Sequence, residues 1–211
     1  MRGQSMDEVN GCAVTDCERC PALVESRSRI VNGTGPTDAA LMIVGEAPGA
    51  AEDREGSPFV GRSGQLLTES LETHGFDRST VRITNCVRCR PPENRNPRRA
   101  ELEACRDHLH REIETVDPAL LMAVGKVPSS QLLDRSVRVT AEAGALHSRT
   151  IAGADREILV SLHPAAILYD RSQSSVFEET VATAAAIVEP ESDPGPEEQA
   201  QLSTFADREE R

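Results

Sequence analysis

The sequence has no tryptophan, one tyrosine and four phenylalanines in 211 residues, and its 23 basic residues include a single lysine, Lys126. A chain so poor in aromatics must build its core from aliphatic side chains. No apolar run approaches the ~18 residues of a membrane-spanning helix, and the N-terminal "MRGQSMDEVNGC" lacks the apolar centre of an export signal. The expectation is a cytoplasmic protein without a membrane partner, in which six cysteines stay reduced and read as metal ligands rather than disulfides. What is abundant is acid: 35 Asp and Glu set the formal net charge at −12. Such acidity ordinarily argues against a nucleic-acid partner. With almost no lysine it also suggests a surface kept soluble in high salt, where self-repulsion is screened.

Half of that net charge sits in residues 189–211, which hold eight acids, two arginines and several prolines. This tail is predicted to be disordered, as are residues 1–11, leaving 12–188 as one domain large enough to bury a core. Runs fit for buried strands are "ALMIVG" (40–45), "VRITN" (81–85), "ALLMAVG" (119–125) and "EILVSL" (157–162). Helix-compatible segments lie at 63–75, 97–116, 127–134 and 174–188, with Ser63 expected as a cap, Gly75 as a stop and Pro97 in a first turn. Short apolar strands alternating with helices predict an α/β fold of three layers, α/β/α, around a central, mainly parallel four-stranded sheet.

Ligands of open parallel sheets bind at the carboxyl ends of the strands. That edge falls on the loops after Val44, Asn85 and Leu162, and all three are chemically unusual. The first, "GEAPGAAEDREGSPFVGRSG" (45–64), combines five glycines with Glu46, Glu52 and Phe59. Glycines admit close backbone approach, and a carboxylate at a strand end can orient water or oppose positive charge. The second, "NCVRCRPPENRNP", opens on Asn85, whose amide offers both a donor and an acceptor. The third carries His163 in "SLHPAAIL". Spacing alone pairs Cys17 and Cys20 of "CERC" with Cys86 and Cys89 as a four-cysteine site of the zinc type.

Together, "GEAPGAAEDREGSPFVGRSGQLL", "ITNCVRCRPPENRNP" and "SLHPAAIL" resemble, in order, three motif blocks of the family 4 uracil-DNA glycosylases, the iron–sulfur base-excision enzymes. With the acidic composition, the resemblance points to a salt-adapted archaeal type. It implies a uracil-DNA glycosylase fold and a monofunctional N-glycosylase that flips uracil out of single- or double-stranded DNA and starts base-excision repair. It implies that Phe59 stacks on the base and Asn85 reads O4 and N3–H of uracil. His163 would donate to O2 of the departing base, and Glu46 would serve water or the sugar cation. Glu52 would support the site, with Gly45 and Ala47 in close backbone contact. It moves the metal site to Cys17, Cys20, Cys89 and Cys105, holding a structural 4Fe-4S cluster and leaving Cys86 in an apolar position.

The segment after His163 would reach DNA through Ile167, Leu168 and Arg171. Arg54, Arg62, Arg88, Arg90, Arg95, Arg98 and Arg99 are expected to form a basic face. In the tail, Gln199, Leu202 and Phe205 at Q-x-x-L-x-x-F spacing resemble the peptide that binds the sliding clamp, PCNA, without its second aromatic. The expected protein is a monomer at the nucleoid. The competing readings are a glycosylase of broader deaminated-base scope and a non-catalytic cysteine-metal adaptor or redox protein.

Overall fold

Four apolar runs form the parallel strands of a sheet in the computed structural model, which describes residues 12–189. They are β1 (Leu41–Gly45), β2 (Arg82–Asn85), β3 (Leu120–Val124) and β5 (Ala154–Ser161), joined by an antiparallel edge strand β4 (Leu146–Ile151) in the order β2-β1-β3-β5-β4. The sheet therefore has five strands rather than the four expected. β4 escapes sequence reading because "LHSRTI" is mostly polar and alternates between exposed and half-buried positions until Ile151. Its hairpin partner is one turn away: Ala152 and Gly153 both have positive φ (51° and 83°), the primed turn that matches strand twist.

Alternation within the strands sorts the core into two faces. Leu41, Ile43, Ile83 and Met122 face α3 (Arg62–Thr73) and α8 (Ser174–Val188) through Leu67, Leu71, Phe177 and Val181. Met42, Val44, Leu121 and Ile158 face α4 (Arg99–Val116) and α5 (Lys126–Leu133) through Leu109, Ile113 and Leu132. The result is the three-layer α/β/α arrangement, with the parallel strands buried on both faces. Shorter helices fill the connections: α1 (Pro21–Ser26), α2 (Ala50–Glu55), α6 (Val139–Glu142) and α7 (Pro164–Tyr169).

Two expected helix signals shift. Gly61, not Ser63, caps α3, because the Glu52 carboxylate accepts its N–H at 2.9 Å. Pro97 precedes the cap of α4, which is Arg98, its N–H taken by Glu101 at 2.7 Å. Gly75 follows the end of α3 with φ of +84°, as a stop should. Among the described residues no helix is long and apolar enough to cross a membrane. The expectations for residues 1–11 and for the tail from 190 onward lie outside the described residues.

Candidate active site and cysteine cage

The parallel register brings the three unusual loops to one edge. Gly45 at the end of β1 pairs with Asn85 at the end of β2, and His163 follows β5 on the far side of β3. Chain order reverses between β1 and β3, the kind of switch point where open sheets form ligand crevices. Here the crevice is a cleft of about 630 Å³ whose walls include Glu46, Phe59, Asn85 and His163. Ala47 and Glu52 also line it, so the two motif loops and the His163 segment share one cavity.

Asn85 is buried, and its side-chain amide makes no hydrogen bond to another described residue. A buried amide with free donor and acceptor at a cleft wall calls for a polar ligand with the complementary pair. Gly45 lets that amide and the Phe59 ring meet over the strand. A Cβ at Gly45 would stand 2.4 Å from Asn85 Oδ1 and 2.6 Å from the Phe59 ring. Phe59 in turn lies face to face with His163, ring centroids 5.8 Å apart at 28°.

His163 caps α7, and its Nδ1 accepts the Ala165 backbone N–H at 3.1 Å. An amide N–H can only donate, so Nδ1 carries no proton and the neutral ring holds its hydrogen on Nε2. Burial pulls the His163 pKa below its ordinary 6.5, opposed in part by the charge of Glu52. The ring is thus a neutral Nε2–H donor at pH 7. Burial also pushes Glu46 above its ordinary 4.5, making it a stronger base than an exposed carboxylate.

Glu52 has a different task from its neighbours. Its two oxygens accept the backbone N–H groups of Gly49 (3.1 Å), Val60 (3.1 Å) and Gly61 (2.9 Å), so they are committed to the loop itself. In α7, Ile167 packs against the core beside α3 and α8, whereas Leu168 is 41% exposed and Tyr169, which lines the cleft, is 93% exposed. The outward apolar face there is Leu168 and Tyr169. Tyr169, the chain's only tyrosine, was not singled out from the sequence, although an isolated aromatic directly after a motif was a usable signal. Pro91, Arg95 and Asn96 also line the cleft and were likewise missed as cleft residues.

The expected basic face is much reduced. Arg88 is buried and bound to Glu112, while Arg54, Arg95 and Arg99 pair with Glu55, Glu101 and Glu103. Arg62 and Arg171 form no ion pair among the described residues.

A second cavity gathers the cysteines. Cys17, Cys20, Cys89 and Cys105 line it together with Leu23, Val24 and Val87. Cys86 lies elsewhere, 1% exposed in the core layer against Leu109 and Ile113. The spacing-based grouping with Cys86 is thereby corrected: Cys86 follows directly after β2, packs into the core beside α4 and does not line the cavity. Burial pushes the thiols of Cys20, Cys89 and Cys105 up, the last to about 11. At Cys89 the Arg27 guanidinium, donating to Sγ at 3.0 Å, pulls back toward thiolate.

Among the described residues no three His, Cys, Asp or Glu side chains converge closely enough to hold a metal ion. A single zinc would hold its sulfurs about 2.3 Å from one point. Four cysteine sulfurs lining one cavity are a donor set that suits a soft, thiolate-bound metal centre.

The family model described as the uracil DNA glycosylase superfamily matches residues 32–185. A type-4 uracil-DNA glycosylase of Pyrobaculum aerophilum is 40% identical over 173 residues, spanning 80% of this chain and 88% of that protein. A type-4 uracil-DNA glycosylase of Thermotoga maritima is 37% identical over 170 residues, 80% of this chain and 86% of its own length. Similarity to a type-5 uracil-DNA glycosylase of Pyrobaculum aerophilum is lower, 29% over 211 residues, 86% of this chain and 90% of that protein.

Proposed function

The chain belongs to the uracil-DNA glycosylase superfamily, on its type-4 branch, and from that premise we propose that it removes uracil from DNA in this cleft, opening base-excision repair. The observation that carries the reading is the free, buried amide of Asn85 facing a neutral His163 across one cleft. A flipped uracil presents O4 as acceptor and N3–H as donor, matching the Asn85 amide, while cytosine presents the reverse pair and leaves both ends unsatisfied. Breaking the bond between C1′ and N1 leaves the electron pair on the base and positive charge on the sugar. His163 Nε2–H stabilises the resulting uracil anion at O2. Water adds at C1′ and loses a proton; the raised basicity of Glu46 supports its role as acceptor of that proton.

Phe59 supplies the stacking face, and Gly45 keeps ring and amide in register. The Gly45→Ala variant is expected to lose uracil release about tenfold or more, from a clash that cannot relax without moving Asn85 or Phe59. Retention of the wild-type rate would show that the two side chains have room to yield. Leu168 and Tyr169 are the groups proposed to enter the base stack beside the vacated site, with Arg171 at a phosphate; stacking carries no salt penalty, unlike phosphate contacts.

Cys17, Cys20, Cys89 and Cys105 would hold a 4Fe-4S cluster that serves as a fastening and contributes no step to bond cleavage. It would tie the segment before α1 to α4 and to the chain leaving Asn85. Cys105→Ser is expected to abolish the visible charge-transfer absorption of the purified protein, whereas Cys86→Ser retains it. Absorption lost in both variants would restore Cys86 to the ligand set.

The function is tested by single-turnover release of uracil from single- and double-stranded DNA in high salt, with Asn85→Ala as control. No release from either substrate would leave the adaptor reading ahead, and equal release of other deaminated bases the broader one. Gln199, Leu202 and Phe205 are proposed as a sliding-clamp peptide, and the working location is the DNA of the cytoplasm. Unchanged clamp affinity after deletion of residues 197–211 would remove that proposal.

A further inference from the structure

Within the stretch Pro58–Gly61, Phe59 lines the cleft and has a φ of +53°. A bulky side chain avoids this left-handed region, and holding one there costs on the order of 1–3 kcal/mol unless its surroundings impose it. The surroundings do so from two sides. The carbonyls of Pro58 and Phe59 both accept from the half-buried guanidinium of Arg78, the latter at 3.1 Å, and the same Nη1 reaches Thr68 Oγ1 on α3 at 3.3 Å. On the opposite side the amides of Val60 and Gly61 donate to one oxygen of Glu52 at 3.1 and 2.9 Å.

The consequence lies in the peptide planes. The 59–60 peptide is held at both ends, its carbonyl by Arg78 and its N–H by Glu52, so rotating it would break both bonds. The 58–59 peptide, whose rotation changes the φ of Phe59, is held at its carbonyl by Arg78. Gly64 closes the remaining side: a Cβ there would lie 1.9 Å from the Phe59 carbonyl oxygen. No hydrogen bond of Arg78 or Glu52 leads to Asn85 or His163. Their shared target is the backbone beneath the stacking ring.

We propose that Arg78 and Glu52 are positioning residues, a two-sided brace that locks the peptides flanking Phe59 and so sets the ring against which the flipped base stacks. The inference rests on the glycosylase reading of the cleft. Neither donates to or accepts from Asn85 or His163; what they share is their hold on the backbone of Phe59.

The test uses the full chain and the variants Arg78→Ala, Arg78→Lys and Phe59→Leu, alone and combined. Single-turnover uracil release is read beside affinity for a duplex carrying 2′-fluoro-2′-deoxyuridine and for an undamaged duplex. In Arg78→Ala, release and the preference for the fluorinated duplex are each expected to fall about tenfold to a hundredfold. Affinity for undamaged DNA should stay at the wild-type level. Arg78→Lys, which keeps the charge but brings all its donors to one nitrogen, should recover part of the loss. In the Phe59→Leu background, Arg78→Ala should add nothing further, because the residue through which it acts is gone.

Additive losses in the double variant, or wild-type release by a folded Arg78→Ala protein, would overturn the brace. Should Arg78→Ala not fold, Arg78→Lys against Phe59→Leu makes the same comparison. A wild-type protein that releases no uracil would instead overturn the reading on which the brace rests.

Discussion

His163→Ala is expected to slow uracil release about a hundredfold to a thousandfold, the loss typical of removing one donor to a developing anion. The expectation follows from a single backbone contact. Because Ala165 N–H occupies Nδ1, the hydrogen of the neutral ring must be on Nε2, the nitrogen left to face the cleft. Burial keeps the ring neutral by lowering its pKa from 6.5. Protonation would set two donors against each other at Nδ1, so it disrupts the cap of α7 as well as charging the site.

The sign of the pH dependence is therefore fixed. Release should fall as pH drops through the lowered His163 pKa, below 6.5, and through the raised Glu46 pKa, above 4.5, because the active form has both groups unprotonated. Below both pKa values the acid limb of log rate against pH should approach a slope of two in the wild type. In His163→Ala only Glu46 remains, and the slope should drop to one. An unchanged acid limb in that variant would show that His163 does not titrate in the active site. Asn at position 163 should recover part of the rate, since its amide can also donate.

Glu112→Ala is expected to destabilise the fold by about 3–5 kcal/mol, a large share of the about 5–15 kcal/mol that holds a typical domain together. Glu112 is completely buried on α4 and binds two buried arginines: Arg82 of β2 through Nε (2.8 Å) and Nη2 (2.7 Å), and Arg88 through Nη2. Removing the carboxylate takes from two buried guanidinium groups the counter-charge they share, which costs far more than the triad itself contributes. The N-terminal segment crosses directly above: a Cβ at Gly33 would sit 2.1 Å from Glu112 Oε1, so this contact also seats residues around 33.

Glu112→Gln keeps acceptors but loses the charge and should fall between. Because the triad is shielded from solvent, the loss measured by urea unfolding should persist at high salt, where surface pairs such as Arg99–Glu103 are screened. A change under about 1 kcal/mol would mean that water reaches the arginines in the variant.

The parallel strands were legible in "ALMIVG", "VRITN", "ALLMAVG" and "EILVSL" because strands buried on both faces are apolar throughout. β4 was not, because an edge strand needs only one buried side, and its pattern of exposed and half-buried residues matches that of a loop. Glu46, Phe59, Asn85 and His163 could be assigned to one edge from strand ends alone, since parallel strands place all their carboxyl termini together. Arg88 shows the limit in the other direction. An arginine in a motif rich in arginines reads as a phosphate contact, and only the approach of Glu112 from a helix 24 positions away makes it an interior residue.

By itself the sequence determined the layered α/β architecture, the edge where chemistry occurs and the residue types gathered there, because these depend on local periodicity and on the direction of the strands. The tertiary structure decided what depends on distance across the fold. It committed the Glu52 oxygens to the backbone, packed Ile167 against the core and left Tyr169 out at the cleft, and brought Cys105 rather than Cys86 to the cavity of Cys17, Cys20 and Cys89. The physical reason is common to all of them. Neighbouring residues in the chain differ in facing direction, and packing against elements remote in sequence determines which direction is buried, paired or left open.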